Sequence, residues 1–141
     1  GGASGPLYGT FFLTLATQLQ NAERVDAQRW GAALEAAVKA VMTRGQAQPG
    51  DKTMVDALLP AVGAYQEALQ QGESFVQALQ RAADAAEEGM RATIPLVARR
   101  GRASYLGERS AGHQDPGATS SALMIRAAAE VWAGRGNGST A

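Results

Sequence analysis

The stretch Ser74-Phe75-Val76-Gln77-Ala78-Leu79-Gln80-Arg81-Ala82-Ala83-Asp84-Ala85-Ala86-Glu87-Glu88-Gly89-Met90 decides the fold class. Ser74 and Gln77 stand at the spacing of a reciprocal helix cap. Behind them Phe75, Val76, Leu79, Ala82, Ala83, Ala86 and Met90 recur at the helical period, and charged residues fill the other face. This helix runs towards Ile94, where Pro95 disturbs its last turn.

The same period extends outward in both directions. Upstream, Met54, Val55, Leu58, Leu59, Val62, Tyr65 and Leu69 predict a helix capped by Thr53 and closed at Gly72. Pro60 lacks an N–H donor and predicts a kink or short break within it. Before that, Asp26 is a good N-cap for a stripe of Trp30, Ala33, Leu34, Ala37, Val38, Val41 and Met42. That helix stops near Gly45, after the basic Arg44. Pro6 marks a first helix in which Tyr8, Phe11, Phe12, Leu15 and Leu19 lay one broad apolar face. Downstream, a final helix over roughly 119–133 carries Leu123, Met124, Ala127, Ala128, Val131 and Trp132. Residues 134–141, rich in Gly, Ser and Asn, predict a flexible tail.

Five helices, 30 Ala among 141 residues and no sustained alternation give an all-α class, an antiparallel helical bundle in one domain over 1–133. The many Ala and Gly positions permit close helix approach. Thirteen basic residues balance thirteen acidic ones, which argues against nucleic acid or an anionic membrane as the main partner. The sequence has no Cys, which excludes disulfides, zinc-thiolate sites, iron–sulfur clusters and a cysteine nucleophile. A single histidine, His113, excludes multi-His metal sites. No apolar run approaches the ~18 residues of a membrane span, so a cytoplasmic protein is expected.

Chemistry falls to three loops beside helix ends. Gly1-Gly2-Ala3-Ser4-Gly5-Pro6 sets small residues and a hydroxyl before a helix, where exposed N–H groups and the helix dipole receive phosphate. The second, 44–54, pairs opposite charges with turn residues, although Asp51 and Thr53 also serve as plain caps. The third, 99–118, is polar, Gly-rich and aperiodic, with four Arg and one Glu by residue 109. Arg forks suit phosphate oxygens, and Arg102 beside a glycine is the best ligand candidate among them. His113 reads more as a hydrogen-bonding post than as a base. Asp115-Pro116-Gly117 is a helix-entry signal, with Asp115 as the N-cap. No Ser/His/Asp triad can be assigned by spacing, so no catalytic residue is named.

Together the loops resemble a known family. Gly1-Gly2-Ala3-Ser4-Gly5-Pro6-Leu7-Tyr8-Gly9, then Gly50-Asp51-Lys52-Thr53-Met54-Val55-Asp56, then Arg102-Ala103-Ser104-Tyr105-Leu106-Gly107-Glu108-Arg109-Ser110 with Gly112-His113-Gln114-Asp115-Pro116-Gly117 resemble, in order, the motifs of the dihydroxyacetone kinase L subunit. The resemblance implies part of an eight-helix nucleotide-binding barrel. It implies ADP or ATP with Mg2+, and phosphoryl transfer to dihydroxyacetone held by a K partner subunit or domain. A phosphotransferase-system phosphoprotein is a further implied partner in some members. By motif position, Ala3 and Ser4 match the phosphate turn, Gly45 and Met54 match positions around the adenine, and Arg102 matches a phosphate-side position. Asp115, Pro116 and Gly117 match the loop over the nucleotide. The family's metal-binding aspartates precede the Gly-Gly-Ala-Ser turn with which this sequence opens. The expectation is therefore an N-terminally shortened domain with magnesium ligands upstream, weak nucleotide binding, no transfer on its own, and apolar faces prone to self-association. A non-catalytic nucleotide-sensing module is the alternative.

Overall fold

The structure, a computed structural model, describes residues 4–19, 26–99 and 102–138; the side chains of 4, 5, 19, 102, 103 and 131–138 lie outside that description. Among the described residues there are five α-helices and no strand: α1 (Ser4–Leu19), α2 (Ala27–Gly45), α3 (Val55–Gln70), α4 (Phe75–Ala92) and α5 (Pro116–Gly138). Consecutive pairs α1–α2, α2–α3 and α3–α4 pack together, and α5 lies on α4 while also touching α3.

The helix starts follow local chemistry. Asp26 accepts the N–H of Arg29 at 2.8 Å, satisfying one of the orphan donors of α2. At α4 the reciprocal cap is complete: the Ser74 hydroxyl accepts from Gln77 N–H at 3.1 Å, and the Gln77 side chain accepts from Ser74 N–H at 2.9 Å. α2 ends at Gly45, as expected. Gln46, not Gly45, takes the left-handed conformation (φ 51°) that closes the helix.

Four other expectations are corrected. Pro60 does not break α3, which continues from Val55 to Gln70 around it. Phe12 does not join the inner face of α1: it is 49% exposed, while Phe11 beside it is buried. Helical geometry gives adjacent residues directions ~100° apart, and only Phe11 points at the neighbouring helices. The 99–118 connection is not structureless, for residues Arg102–Ser110 form short 3-10 turns interrupted at Gly107 (φ 55°, ψ −133°). The last helix begins at Pro116, with Asp115 before it, and runs further than its apolar period indicates.

The core is built from small residues around a few large ones. Ala37, Ala57, Ala61, Ala78, Ala83 and Ala86 are fully buried, which lets helix backbones approach closely. Leu58, Val38, Val41 and Val55 fill the space between them, each contributing ~1.5–3 kcal/mol through burial. Tyr65 lies flat in this core because Gly31 leaves room: a Cβ there would lie 2.9 Å from the ring. The Tyr65 hydroxyl donates to the Ala27 carbonyl at 2.5 Å. Burial, with Asp26 nearby, pushes its pKa up to about 12, so the phenol stays neutral. On the outside, Arg126 of α5 bridges to Glu87 (2.8 Å) and to Asp84 of α4. Phe12, Leu13 and Leu123 remain exposed apolar side chains. No described helix is long and apolar enough to cross a membrane.

Candidate functional site

Two of the loops singled out in the sequence, 44–54 and 99–118, meet the start of α1 at one end of the bundle. Gly117, at the start of α5, packs on Met54, at the start of α3: a Cβ on Gly117 would lie 3.5 Å from the Met54 Cβ and 3.2 Å from the Asp115 carboxylate. Tyr8, one turn into α1, donates its hydroxyl to the Gly117 carbonyl at 3.0 Å and shares a 3.1 Å hydrogen bond with Ser121. Beside it, Leu7 covers Gly45, where a Cβ would stand 3.1 Å from the leucine side chain. The first turns of α1, α3 and α5 therefore converge on the last turn of α2. Three helix N-termini bring partial positive charge to that end, which favours an anion nearby, although first-turn N–H groups of α3 and α5 are already held by Thr53 and Asp115.

Each start is shaped by its own residues. Asp115 accepts the Ala118 N–H at 2.7 Å, and its own carbonyl receives Thr119 N–H at 2.9 Å. Its carboxyl is held above the usual carboxylate range, chiefly by burial and further by the nearby Asp56 charge; the Ala118 N–H and Lys52 oppose this. At α3 the Asp56 carboxylate accepts from Gly50 N–H (2.7 Å) and Thr53 N–H (2.9 Å), folding the Gly50–Thr53 turn back onto the helix. Thr53 contributes its hydroxyl, which accepts from Val55 N–H at 3.1 Å. Thr53 is therefore not the N-cap expected of it: that position falls to Met54, which has no side-chain cap, and Thr53 stands one residue before it.

Of the eight sequence candidates, Gly45, Met54, Asp115, Pro116 and Gly117 lie at this end. Met54 and Asp115 are buried, Gly45 and Gly117 half-buried, and Pro116 exposed. Met54 joins the core cluster and forms a floor beneath Gly117 rather than an open wall. The backbone of Ser4 opens α1 and that of Arg102 opens the 3-10 segment, while their side chains, and the whole of Ala3, lie outside the described residues. His113 is exposed.

Five contributors were given no site role by the sequence. Tyr8 stood in the apolar face of α1 and in the first motif, with no site role given to its hydroxyl. Thr93, fully buried, accepts the Asp115 N–H on its hydroxyl at 3.0 Å. Ser110 accepts the Ala98 N–H at 2.7 Å and donates to the Gly107 carbonyl at 2.7 Å. Lys52 is buried and donates to the Ser110 carbonyl at 2.6 Å. Only Asp56 left a readable sign, an acidic residue in a helix's first turn. Among the described residues, no group of three or more His, Asp or Glu side chains is placed to hold a metal ion.

An all-helical domain with its helix starts gathered over one loop cluster is the class that these features define. The chain belongs to the DAK2 domain family, whose pattern matches residues 1–130. It is 45% identical over 126 residues to the PEP-dependent dihydroxyacetone kinase ADP-binding subunit DhaL of Escherichia coli (strain K12), covering 89% of this chain and 60% of that protein. It is 41% identical over 131 residues to the triokinase/FMN cyclase of Rattus norvegicus, covering 93% of this chain and 22% of that protein. The crystal structure of the dihydroxyacetone kinase of C. freundii superposes with a TM-score of 0.63 at 32% identity, over 93% of this chain and 21% of that one. The chain thus spans only part of the length of each of these relatives.

Proposed function

We propose that this chain is the nucleotide-holding part of a dihydroxyacetone kinase, binding ADP or ATP and serving phosphoryl transfer to dihydroxyacetone carried by a K partner subunit or domain. The observation that carries this reading is the convergence of the α1, α3 and α5 starts, through Tyr8, Met54 and Gly117, on one loop cluster. Relatives named as an ADP-binding subunit and as triokinases support it.

The residues fit a nucleotide in a specific way. Gly117, lacking a side chain, lets the turn pack closely on Met54 and the Asp115 carboxylate at the helix starts that favour an anion. By motif position Ala3, Ser4 and Arg102 are assigned to the phosphates, and Met54 and Gly45 to the surroundings of the base. The buried Asp115 and exposed Pro116 close over the ligand. Such a site acts by positioning and by neutralising phosphoryl charge, with no covalent nucleophile required of this chain. Magnesium would supply charge neutralisation between phosphates. The described residues offer no group of ligands for it, and no step is assigned to it.

Calorimetric titration with ADP, with and without Mg2+, tests the nucleotide reading; absence of binding in the intact protein overturns it. Formation of dihydroxyacetone phosphate with the K partner tests the transfer. Binding without transfer points instead to a nucleotide-sensing module.

A further inference from the structure

Lys52 is a buried cation to which the nucleotide reading gives no task. It is 3% exposed and stands on a left-handed backbone (φ 64°), a conformation that side chains other than Gly, Asn and Asp seldom adopt. Its ammonium donates to the carbonyls of Ser110 (2.6 Å), Leu96 (3.1 Å) and Ile94 (3.4 Å). An ammonium has three donors and no acceptor, so these three carbonyls saturate it.

The three carbonyls come from two separate stretches of the connection between α4 and α5. Those stretches are also laced to each other, by Gly112 N–H to the Ile94 carbonyl (2.6 Å) and by Ala98 N–H to the Ser110 hydroxyl (2.7 Å). Arg99 N–H returns to the carbonyl of Asp51, the residue before Lys52, at 3.1 Å. Thr93, adjacent to Ile94, holds the Asp115 N–H. A short path of hydrogen bonds therefore runs from the Lys52 ammonium to the turn that lies over Met54. No apolar side chain can hold three carbonyls in this way, and a buried cation is retained at a desolvation cost.

We infer that Lys52 is a positioning residue of the nucleotide site: its ammonium clamps the 94–110 connection and so presets the Asp115–Gly117 turn against Met54 before ligand arrives. The inference rests on the nucleotide reading for its consequence, and on the carbonyl cage for its geometry. With the clamp removed, the binding-competent loop arrangement becomes a minor state, and apparent affinity falls by the fraction lost.

The test compares the intact wild-type protein with Lys52→Met, which keeps the stem and removes the donors. ADP affinity is expected to fall about tenfold, as for a competent state reduced to roughly a tenth. Amide hydrogen exchange is expected to accelerate at Ala98, Arg99 and Gly112, while the interior amides of α3 and α4 keep their protection. Because the sequence contains no Cys, Lys52→Cys offers a unique thiol. Alkylated with bromoethylamine while unfolded and then refolded, it regains an ammonium of nearly lysine's reach and is expected to recover both properties. The neutral iodoacetamide adduct is expected to recover neither.

Wild-type ADP affinity and loop protection in Lys52→Met, or in the neutral adduct, overturn the inference. Loss of protection throughout α3 and α4 also overturns it, since Lys52 then supports the whole fold. A wild type that binds no ADP overturns the nucleotide reading instead, and exchange at the three loop amides still decides the clamp.

Discussion

Gly89 of α4 rests directly on the backbone carbonyl of Asp56 in the first turn of α3, so closely that a Cβ at Gly89 would overlap that oxygen. The same carbonyl is the one from which Pro60 withholds its helical N–H, four residues on. The proline leaves an acceptor without its usual donor, and the glycine brings another helix against it, where a Cα–H can approach. The Asp56 side chain meanwhile folds the Gly50–Thr53 turn. Helix packing and site geometry are thus joined through one residue.

Gly89→Ala should destabilise the fold by ~1–3 kcal/mol, the range for forced overpacking, because backbone cannot yield as a flexible side chain does. Gly63→Ala is the contrasting case. Its Cβ would meet nothing within 4 Å, on an exposed face of α3. There the change should stabilise by ~0.4–1 kcal/mol. Urea denaturation of both variants checks the pair, and equal effects would refute the packing argument.

Tyr8→Phe removes the hydroxyl that ties α1 to Gly117 and Ser121. It should cost ~1 kcal/mol in denaturant unfolding. ADP binding should weaken as well, because the start of α1 is then no longer held against the Gly117 turn. Unchanged ADP affinity in calorimetry would separate α1 from the site.

Asp115 gives a pH dependence of definite sign. Burial raises its carboxyl above the ordinary value of 3.8. Below 3.8 both folded and unfolded forms are protonated and burial costs no ionisation energy. As pH rises, the unfolded chain releases its proton first and native stability falls; above the folded pKa the penalty is complete. Asp115→Asn keeps an oxygen for the Ala118 N–H and cannot ionise. Its stability relative to wild type should therefore improve as pH rises from acid to neutral. Asp115→Ala, which loses the cap, should be weaker than Asp115→Asn by ~1 kcal/mol at every pH tested. Unfolding curves across acid and neutral pH read both effects.

Arg126→Ala should loosen α5 from α4 by about 1 kcal/mol at low salt and by less at high salt, since its partners are partly exposed. Hydrogen bonding from Arg126 holds the Glu87 carboxyl below its ordinary value of 4.5. That stabilisation is therefore present above 4.5 and disappears as pH falls through the lower folded value. A double-mutant cycle with Glu87→Gln measures the pair, and zero coupling would dismiss it.

Much of this was legible locally. Ser74 and Gln77 cap α4, Asp26 caps α2, and the stripes of Val38, Val41, Leu58 and Val62 are buried as their spacing requires. Phe12 misled because a wide apolar face does not say which part of it finds a neighbour. Pro60 does not break α3, because the cost of a missing donor depends on what covers the freed carbonyl. Lys52, Thr93 and Ser110 were opaque because their partners lie 58, 22 and 12 residues away in the chain.

The sequence by itself determined where most helices start, the inward faces of α2, α3 and α4, and the three motifs that resemble a kinase subunit. These rest on interactions within one turn or one period, which a linear reading can follow. On α5, by contrast, Leu123, Ala127 and Ala128 face out, and Ala122, Ile125 and Ala129 are the buried ones. Only the tertiary structure decided that the starts of α1, α3 and α5 share one end, that α3 passes Pro60 intact, and that a buried ammonium fastens the loop beside them. Those outcomes depend on which backbone carbonyls meet which donors across the chain, and side-chain spacing carries no record of that.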